Sequence, residues 1–530
     1  MIVGGVAHWA MGPADTMHET SVGAALTRIA ERHAEVDALR WMEHGSVRSL
    51  TYGELVRLAT ARAHEILDDV SPGEVVAIWG PNSVEWAITE YASALAGTVL
   101  VALNPALVDR EVEYVLHKSR AARLYAVAES RGKPLLERAR ALNERLDGLR
   151  TVCDLHADIG ESSGPLPAVD PRAPFILQFT SGTTGDPKAA ILSHRTAFNA
   201  ARLYAELLSR SGERHVSCAP LPYHHVAGAV SRLVGTMAVA GTHVVVPSAD
   251  LLQLAEMTVA CEVTHGGLLG KLAVDALASE ETLAAFSGHR MRTLGMGGSG
   301  IPPELIRRVE DAFGVAVVNG YGQSESPHIG LTVADDEPED RWYTIGRPVP
   351  LRDVAILRTD GSFAELGETG EICTRGPLVM DGYLDDPEKT AEVFAHGWLH
   401  TGDFGSMDDR GYLRYLGRAR EMIIRGGENL YPAEIEARLM EHHEILEVVI
   451  VPVPDDQWGE LAFAFVRVAP GSTLEEATLR EYARSVLAPF KVPAFWHVID
   501  DFPRTALGKV VKTDLVTLAA TTVSAGHAAS

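Results

Sequence analysis

Basic residues are scarce in this chain: 47 Lys and Arg stand against 71 Asp and Glu over 530 residues, a formal net charge of −24. Nucleic acids and anionic membrane surfaces attract basic proteins, so this balance argues against both as partners. Cysteine is scarcer still. Cys153, Cys218, Cys261 and Cys373 lie far apart, without a CxxC pair or a zinc-like His spacing. They read as reduced thiols of a cytoplasmic protein, Cys218 as a small apolar filler. No stretch approaches the ~20 apolar residues of a membrane helix. Residues 1–17 lack a basic region followed by an apolar run, so no signal peptide is expected. The Ala/Thr/Ser-rich end after Leu518 reads as disordered and carries no targeting tripeptide.

What is present belongs to an ordinary globular protein, 46% hydrophobic and 22% charged, and too long for one core. Short β-branched runs alternate with helical patterns, as in α/β folds. Glu74–Trp79, Thr98–Leu103, His243–Pro247 and Val315–Val318 read as strands, and a helix is expected from about Ser83. After Gly417 the pattern changes to strand 422–424, helix 432–442, strands 446–453 and 461–468, and helix 473–487. We therefore expect a large domain at 1–417 and a small α+β one at 418–530.

One segment carries the clearest chemistry. Phe175–Phe179 is an apolar run that feeds Thr180, Ser181, Gly182, Thr183, Thr184, Gly185, Asp186, Pro187 and Lys188. Glycines let backbone N–H groups approach phosphate oxygens, hydroxyls add donors, and Lys188 adds a mobile cation. A Walker A loop is excluded, because Pro187 precedes the lysine and Ala189–Leu192 reads as another strand rather than a helix. The loop is then a flap between two strands over a polyphosphate; a Ser/Thr/Gly surface turn is the plainer alternative. Further along, Asn319, Gly320, Tyr321, Gly322, Gln323, Ser324 and Glu325 offer an aromatic face for a base, a hydroxyl for a phosphate and a carboxylate for a metal.

Together these motifs, in this order, resemble the adenylate-forming superfamily: acyl-CoA synthetases, adenylation domains of peptide synthetases and firefly-type luciferases. The resemblance runs from about Thr51 to Lys512. It implies an α/β fold with a large N-terminal domain of two αβ subdomains plus a small β-barrel, and a small mobile α+β C-terminal domain that acts as a lid. It implies ATP, Mg2+ and coenzyme A as cofactors and a small-molecule carboxylic acid as substrate. Tyr321 would stack on adenine, Asn319 bond its amino edge, Ser324 (where Thr is usual) touch the α-phosphate, and Glu325 hold the metal. Gly298 and Ser299 match the glycine-rich turn beside the nucleotide, Asp403 the ribose-binding aspartate and Arg418 a second ribose contact. Lys509, in Pro503–Lys509, matches the catalytic lysine; bridging two anions in the transition state is work suited to a cation. His225 matches the histidine near the acid and thiol tunnel, with His224 in a place more often aromatic. Gly426 and Gly427 match the loop lining the pantetheine tunnel, and Arg420 the hinge.

The chain departs from the pattern at Ala189 and Leu351, and most at Val263–Leu269, where His265, Gly266 and Gly267 replace a proline-containing segment. That departure suggests a reshaped, roomier acyl pocket; His265 reads equally as a substrate contact or a structural histidine. The expected reaction is acyl-adenylate formation followed by thioester formation with CoA. Loading of an acyl carrier protein is the main rival, with a non-catalytic nucleotide-binding protein and a luciferase-like oxygenase behind it. A homodimer is an open alternative, since neither oligomeric state nor the acid is written in the sequence.

Overall fold

The computed structural model describes residues 1–12, 16–180, 187–209, 213–298, 300–455, 457–504 and 510–528, the last helix beyond residue 523 by its backbone alone. Four sheets organise the chain into a large N-terminal α/β part and a smaller C-terminal part.

The first sheet has seven strands, ordered Gly382–Tyr383, Lys188–Ser193, Pro174–Thr180, Val99–Leu103, Val75–Trp79, Ala121–Ala126 and Thr151–Asp154. Val75–Trp79 is buried along its whole length, as expected of a parallel strand covered on both faces. The helix Val84–Ala96 starts where Ser83 accepts a hydrogen bond from the Trp86 amide and stops at Gly97, which takes the left-handed conformation. Pro174–Thr180 and Lys188–Ser193 are antiparallel neighbours, with Thr180 opposite Lys188, so the expected flap does join two strands.

The second sheet has nine strands, with Arg347–Pro348 and Ser326–Leu331 at one edge, then Ala316–Gln323, Thr293–Gly297, His265–Gly267, Val216–Cys218, Thr242–Val244, Asp37–Glu43 and Ser46–Thr51. The small β unit is a five-stranded sheet ordered His8–Trp9, Asp353–Leu357, Gly370–Arg375, Leu399–Met407 and Leu413–Arg418.

From Ile423 onward a fourth sheet forms around the long antiparallel pair Ile445–Asp455 and Gly459–Val468, with its own buried residues Ile423, Leu439, Ile450, Val466 and Leu479. Its helices are shorter than expected, Pro432–Leu439 and Glu476–Val486. The chain end differs more. Lys512–Ala528 is helical, because Leu515, Ala519 and Val523 recur every fourth residue and pack against the sheet. Ala, Thr and Ser between them hide that narrow apolar stripe in the composition. Among the described residues, no helix is long and apolar enough to cross a membrane. All four cysteines are free; burial pushes the Cys218 thiol up to about 12, as befits an inert filler.

Candidate active site

Two chains of contacts run through the residues picked out by the motifs. One begins at Lys188, the first residue of its strand. Its Nζ lies 5.2 Å from the centre of the Tyr383 ring. The Tyr383 hydroxyl donates to Glu325 Oε1 at 2.8 Å. Glu325 is buried, and its carbonyl accepts from the Met380 amide at 2.7 Å. Burial, then the Glu325 charge, pushes the Tyr383 phenol up, so it stays a donor. A cation, a hydroxyl and a buried carboxylate thus stand in one line: Lys188 suits phosphate oxygens, and the oxygen donors at Glu325 suit a hard cation such as Mg2+. Thr180 Oγ1 donates to the Lys188 carbonyl at 3.4 Å and closes the root of the flap. Ser181, Gly182, Thr183, Thr184 and Gly185 lie outside the described residues, as do Ser299 and Lys509.

The second chain begins at Tyr321, whose hydroxyl donates to Asp403 Oδ2 at 2.8 Å. Arg418 Nε lies 3.4 Å from Asp403 Oδ1, its backbone directly opposite on the neighbouring strand. Burial raises the Asp403 carboxyl above the usual aspartate range, and the Arg418 charge works against that rise. Tyr321 and Arg418 therefore converge on Asp403, one on each of its carboxylate oxygens. Asn319 is buried; its side-chain amide donates to the Thr344 carbonyl at 3.3 Å, which leaves its own carbonyl as the acceptor an exocyclic amine would use. Gly297 and Gly320 face each other across parallel strands so closely that a Cβ on Gly297 would collide with the Gly320 carbonyl. Gly298 follows with φ +83, a left-handed turn that glycine adopts without strain. Ser324 is buried beside Glu325.

His225 lies just before Ala227–Val234, a π-helical segment of a kind often found at functional sites. Its Nδ1 accepts from the Ala227 amide at 3.2 Å. The turn is pinned from below, where Asn82 accepts from the Tyr223 amide and donates to the Leu221 carbonyl. Burial lowers the neighbouring His224 to about 4, so it is neutral packing rather than an acid.

Arg420 is exposed within the turn Ala419–Glu421, between the third and fourth sheets. Gly426 and Gly427, with φ of +58 and +89, form the tip of the hairpin joining Ile423–Arg425 to Glu428–Leu430. That hairpin is exposed apart from its base, and the Gly426 amide donates to the Trp458 carbonyl at 2.7 Å. Just past the hairpin, the Tyr431 ring lies 6.2 Å from that of Phe404, the residue after Asp403.

His265 is structural. Its ring stacks on His215 at 4.2 Å and its Nδ1 shares a hydrogen bond of 2.8 Å with Thr293. The space expected at Gly266 and Gly267 is taken up by Met291, Ala219 and Arg232. Sequence reasoning missed Tyr383, His328, Arg232 and Tyr415, whose ring lies 6.2 Å from that of Tyr321. A lone Gly-Tyr pair and a single basic residue in an apolar segment are weak signals, and only the fold brings them together.

A two-sheet α/β platform with a Lys188–Tyr383–Glu325 line, a Tyr321–Asp403 pair and a small C-terminal part has the layout of an adenylate-forming enzyme. The model of the AMP-binding enzyme family matches residues 26–384, and that of the AMP-binding enzyme C-terminal domain matches residues 434–509. The chain belongs to this family, among its acyl-CoA synthetases. It is 32% identical to a putative acyl-CoA synthetase, YngI, of Bacillus subtilis, over 95% of this chain and 97% of that one. It is also 32% identical to the mitochondrial medium-chain acyl-CoA ligase ACSF2 of Rattus norvegicus, over 93% and 87%. Among solved structures, a fatty acyl CoA synthetase of Mycobacterium tuberculosis superposes with a TM-score of 0.72 at 27% identity, over 95% and 99%. The anthranilate CoA ligase AuaEII, bound to anthranoyl-AMP, shares the fold with a TM-score of 0.86 at 22% identity, over 96% and 98%.

Proposed function

We propose that the protein is an AMP-forming acid–thiol ligase that activates a carboxylic acid with ATP and passes the acyl group to coenzyme A. What supports this reading is that the Lys188–Tyr383–Glu325 line and the Tyr321–Asp403–Arg418 group share one stretch of chain, with Tyr321 on one strand of the second sheet and Glu325 in the turn to the next. Tyr321 stacks on the base, Asn319 accepts from its amine, and Asp403 with Arg418 grips the ribose. The flap residues 180–185, with Ser324, cover the phosphates, and Glu325 would hold Mg2+, which offsets phosphate charge when bound. Gly298 and Ser299 belong to the glycine-rich turn that lines one side of the nucleotide, where glycine lets the backbone approach the base and the acyl chain.

The substrate carboxylate attacks the α-phosphorus, a P–O bond forms, and pyrophosphate leaves. Lys188 and Lys509 lower the barrier by meeting the negative charge that gathers on the reacting oxygens. The C-terminal part, 418–530, then turns at Arg420, Lys509 withdraws, and Gly426 and Gly427 line the path of the CoA thiol. The thiol sulfur attacks the acyl carbon and AMP leaves, with His225 gating the tunnel. Four free cysteines fit a cytoplasmic location.

The test is a screen of purified protein with MgATP, CoA and a panel of fatty, aryl and polycyclic acids, followed by mass spectrometry. AMP together with an acyl-CoA is expected. AMP and pyrophosphate without a thioester would favour a carrier-protein acceptor, and no AMP with any acid would overturn the reading.

A further inference from the structure

Arg232, on the π-helical segment Ala227–Val234, is 4% exposed. Its Nη1 donates to Ser217 Oγ at 3.1 Å and its Nη2 to the Gly266 carbonyl at 3.2 Å. Its guanidinium carbon lies 5.5 Å from the centre of the Tyr204 ring. These partners are all neutral, and among the described residues no carboxylate comes within ion-pair distance. A second guanidinium, Arg352, is fully buried and likewise donates to neutral oxygens, Ser326 Oγ and the Pro327 carbonyl, each at 2.7 Å. Buried charge without a counter-ion is costly, so a ligand that brings the opposite charge would relieve that cost.

His328 stands within the field of both arginines. Its ring stacks on Tyr204 at 4.0 Å, and its Nε2 shares a hydrogen bond of 2.6 Å with Ser231 Oγ. Burial first, then Arg352 and Arg232, lowers it to about 3, so it adds no charge of its own. It holds this place at φ +53, a conformation uncommon outside glycine. Glu90, the buried carboxylate of the helix Val84–Ala96, is not the missing counter-ion: neither of its oxygens has a hydrogen-bond partner, and burial pushes its carboxyl well above the usual range.

The backbone is cut to admit the guanidinium. A Cβ would lie 2.6 Å from Arg232 Nη2 at Gly295 and 3.0 Å from it at Gly267, both on the central strands of the second sheet. The cluster also abuts the nucleotide residues. Gly295 lies two residues before Gly297, and a Cβ on Gly322, next to Tyr321, would lie 2.5 Å from the His328 amide.

We infer that Arg232, flanked by Tyr204, Ser231 and His328, receives a second anionic group at the far end of the acid, so that the substrate is a dicarboxylic acid rather than a plain alkyl or aryl monoacid. This inference rests on the acid-activating reading above. Guanidinium pairs with carboxylate through two parallel N–H···O bonds, and Arg232 has donors beyond the two already engaged. A plain methyl terminus would leave that charge buried and uncompensated, which is how such a site rejects it.

The test compares kcat/KM for a graded series of α,ω-dicarboxylic acids with monocarboxylic acids of matching length, in the wild type and in R232M and R232K. The wild type is expected to favour a dicarboxylate by at least about 100-fold. R232M should reverse that preference, chiefly through the KM for the acid, and R232K should restore part of it. A wild type that takes monoacids as well as diacids, or an R232M that loses both classes equally, overturns the inference while the ligase reading stands. AMP formation with neither class overturns both. The wild-type comparison needs no variant, so it decides the matter even where R232M does not fold.

Discussion

Tyr383 donates its hydroxyl proton to Glu325 Oε1 at 2.8 Å while its ring faces Lys188 Nζ at 5.2 Å. One side chain therefore orients both the proposed metal ligand and the proposed phosphate cation. Tyr383→Phe keeps the ring and removes only the bond to Glu325. Adenylation kcat/KM is expected to fall about 10- to 100-fold, the range for a hydrogen bond to a charged group. The Mg2+ concentration for half-maximal rate should rise with it. Pyrophosphate release titrated against Mg2+ checks this, and an unchanged titration would remove Tyr383 from the site.

Asp403 and Arg418 give a prediction in pH. Burial raises the Asp403 carboxyl and Arg418 opposes the rise. Ribose binding needs the ionised form, so ATP affinity is lost as pH falls through that raised value. Arg418→Met removes the opposing charge, and the acid limb of kcat/KM for ATP is expected to move to higher pH. In stability the sign is reversed: a carboxyl raised by folding stabilises below its ordinary pKa, and this contribution is lost as pH rises through the raised one. A pH profile of both proteins measures the first effect, and a shift toward lower pH would contradict it.

Buried histidines make the fold sensitive to acid. Burial lowers His194 and His265 to about 4 and His243 and His328 to about 3, from an ordinary 6.5. Each is neutral when folded and takes up a proton on unfolding. Their stabilising effect is complete above pH 6.5 and drains away as pH falls toward the folded values, by about 1.4 kcal/mol per unit for each fully linked proton. Denaturant midpoints measured from neutral pH down to pH 5 should fall steeply, with His243→Gln shallower than the wild type. A flat profile would show these rings are not buried neutral.

How much of this was legible depends on range. Val75–Trp79, Val99–Leu103 and the strand pair around the phosphate flap announce themselves by local composition, and the structure has them within a residue or two. Asp403 and Arg418 were nameable only through the family resemblance of their motifs, and it is the fold that puts them opposite each other on neighbouring strands. Tyr383 was not, since it reaches Glu325 only through an edge strand formed 58 residues further on. Arg232 was hidden for the same reason. Its meaning comes from Gly267 and Gly295, on strands that only the sheet brings beside it. The terminal helix was misjudged because three apolar residues at fourfold spacing are diluted by Ala and Thr.

The role proposed for Gly427 gives a way to separate the two half-reactions. At φ +89 a side chain there strains the hairpin by about 1–2 kcal/mol and fills the proposed thiol path. Gly427→Leu is expected to slow thioester formation at least tenfold while pyrophosphate release in a single turnover stays close to wild type. Lys509→Ala should do the opposite, losing adenylation while still converting supplied acyl-AMP to the thioester. Equal loss of both half-reactions in either variant would contradict a division of labour between the two residues.

The central claim is that carboxylate oxygen attacks the α-phosphate before any thiol reacts. The most direct measurement supplies an acid labelled with heavy oxygen in its carboxylate, with MgATP and CoA, and weighs the nucleotide product. The account predicts AMP carrying one labelled oxygen, released with pyrophosphate and the acyl-CoA. Unlabelled AMP, or ADP with phosphate, would contradict it.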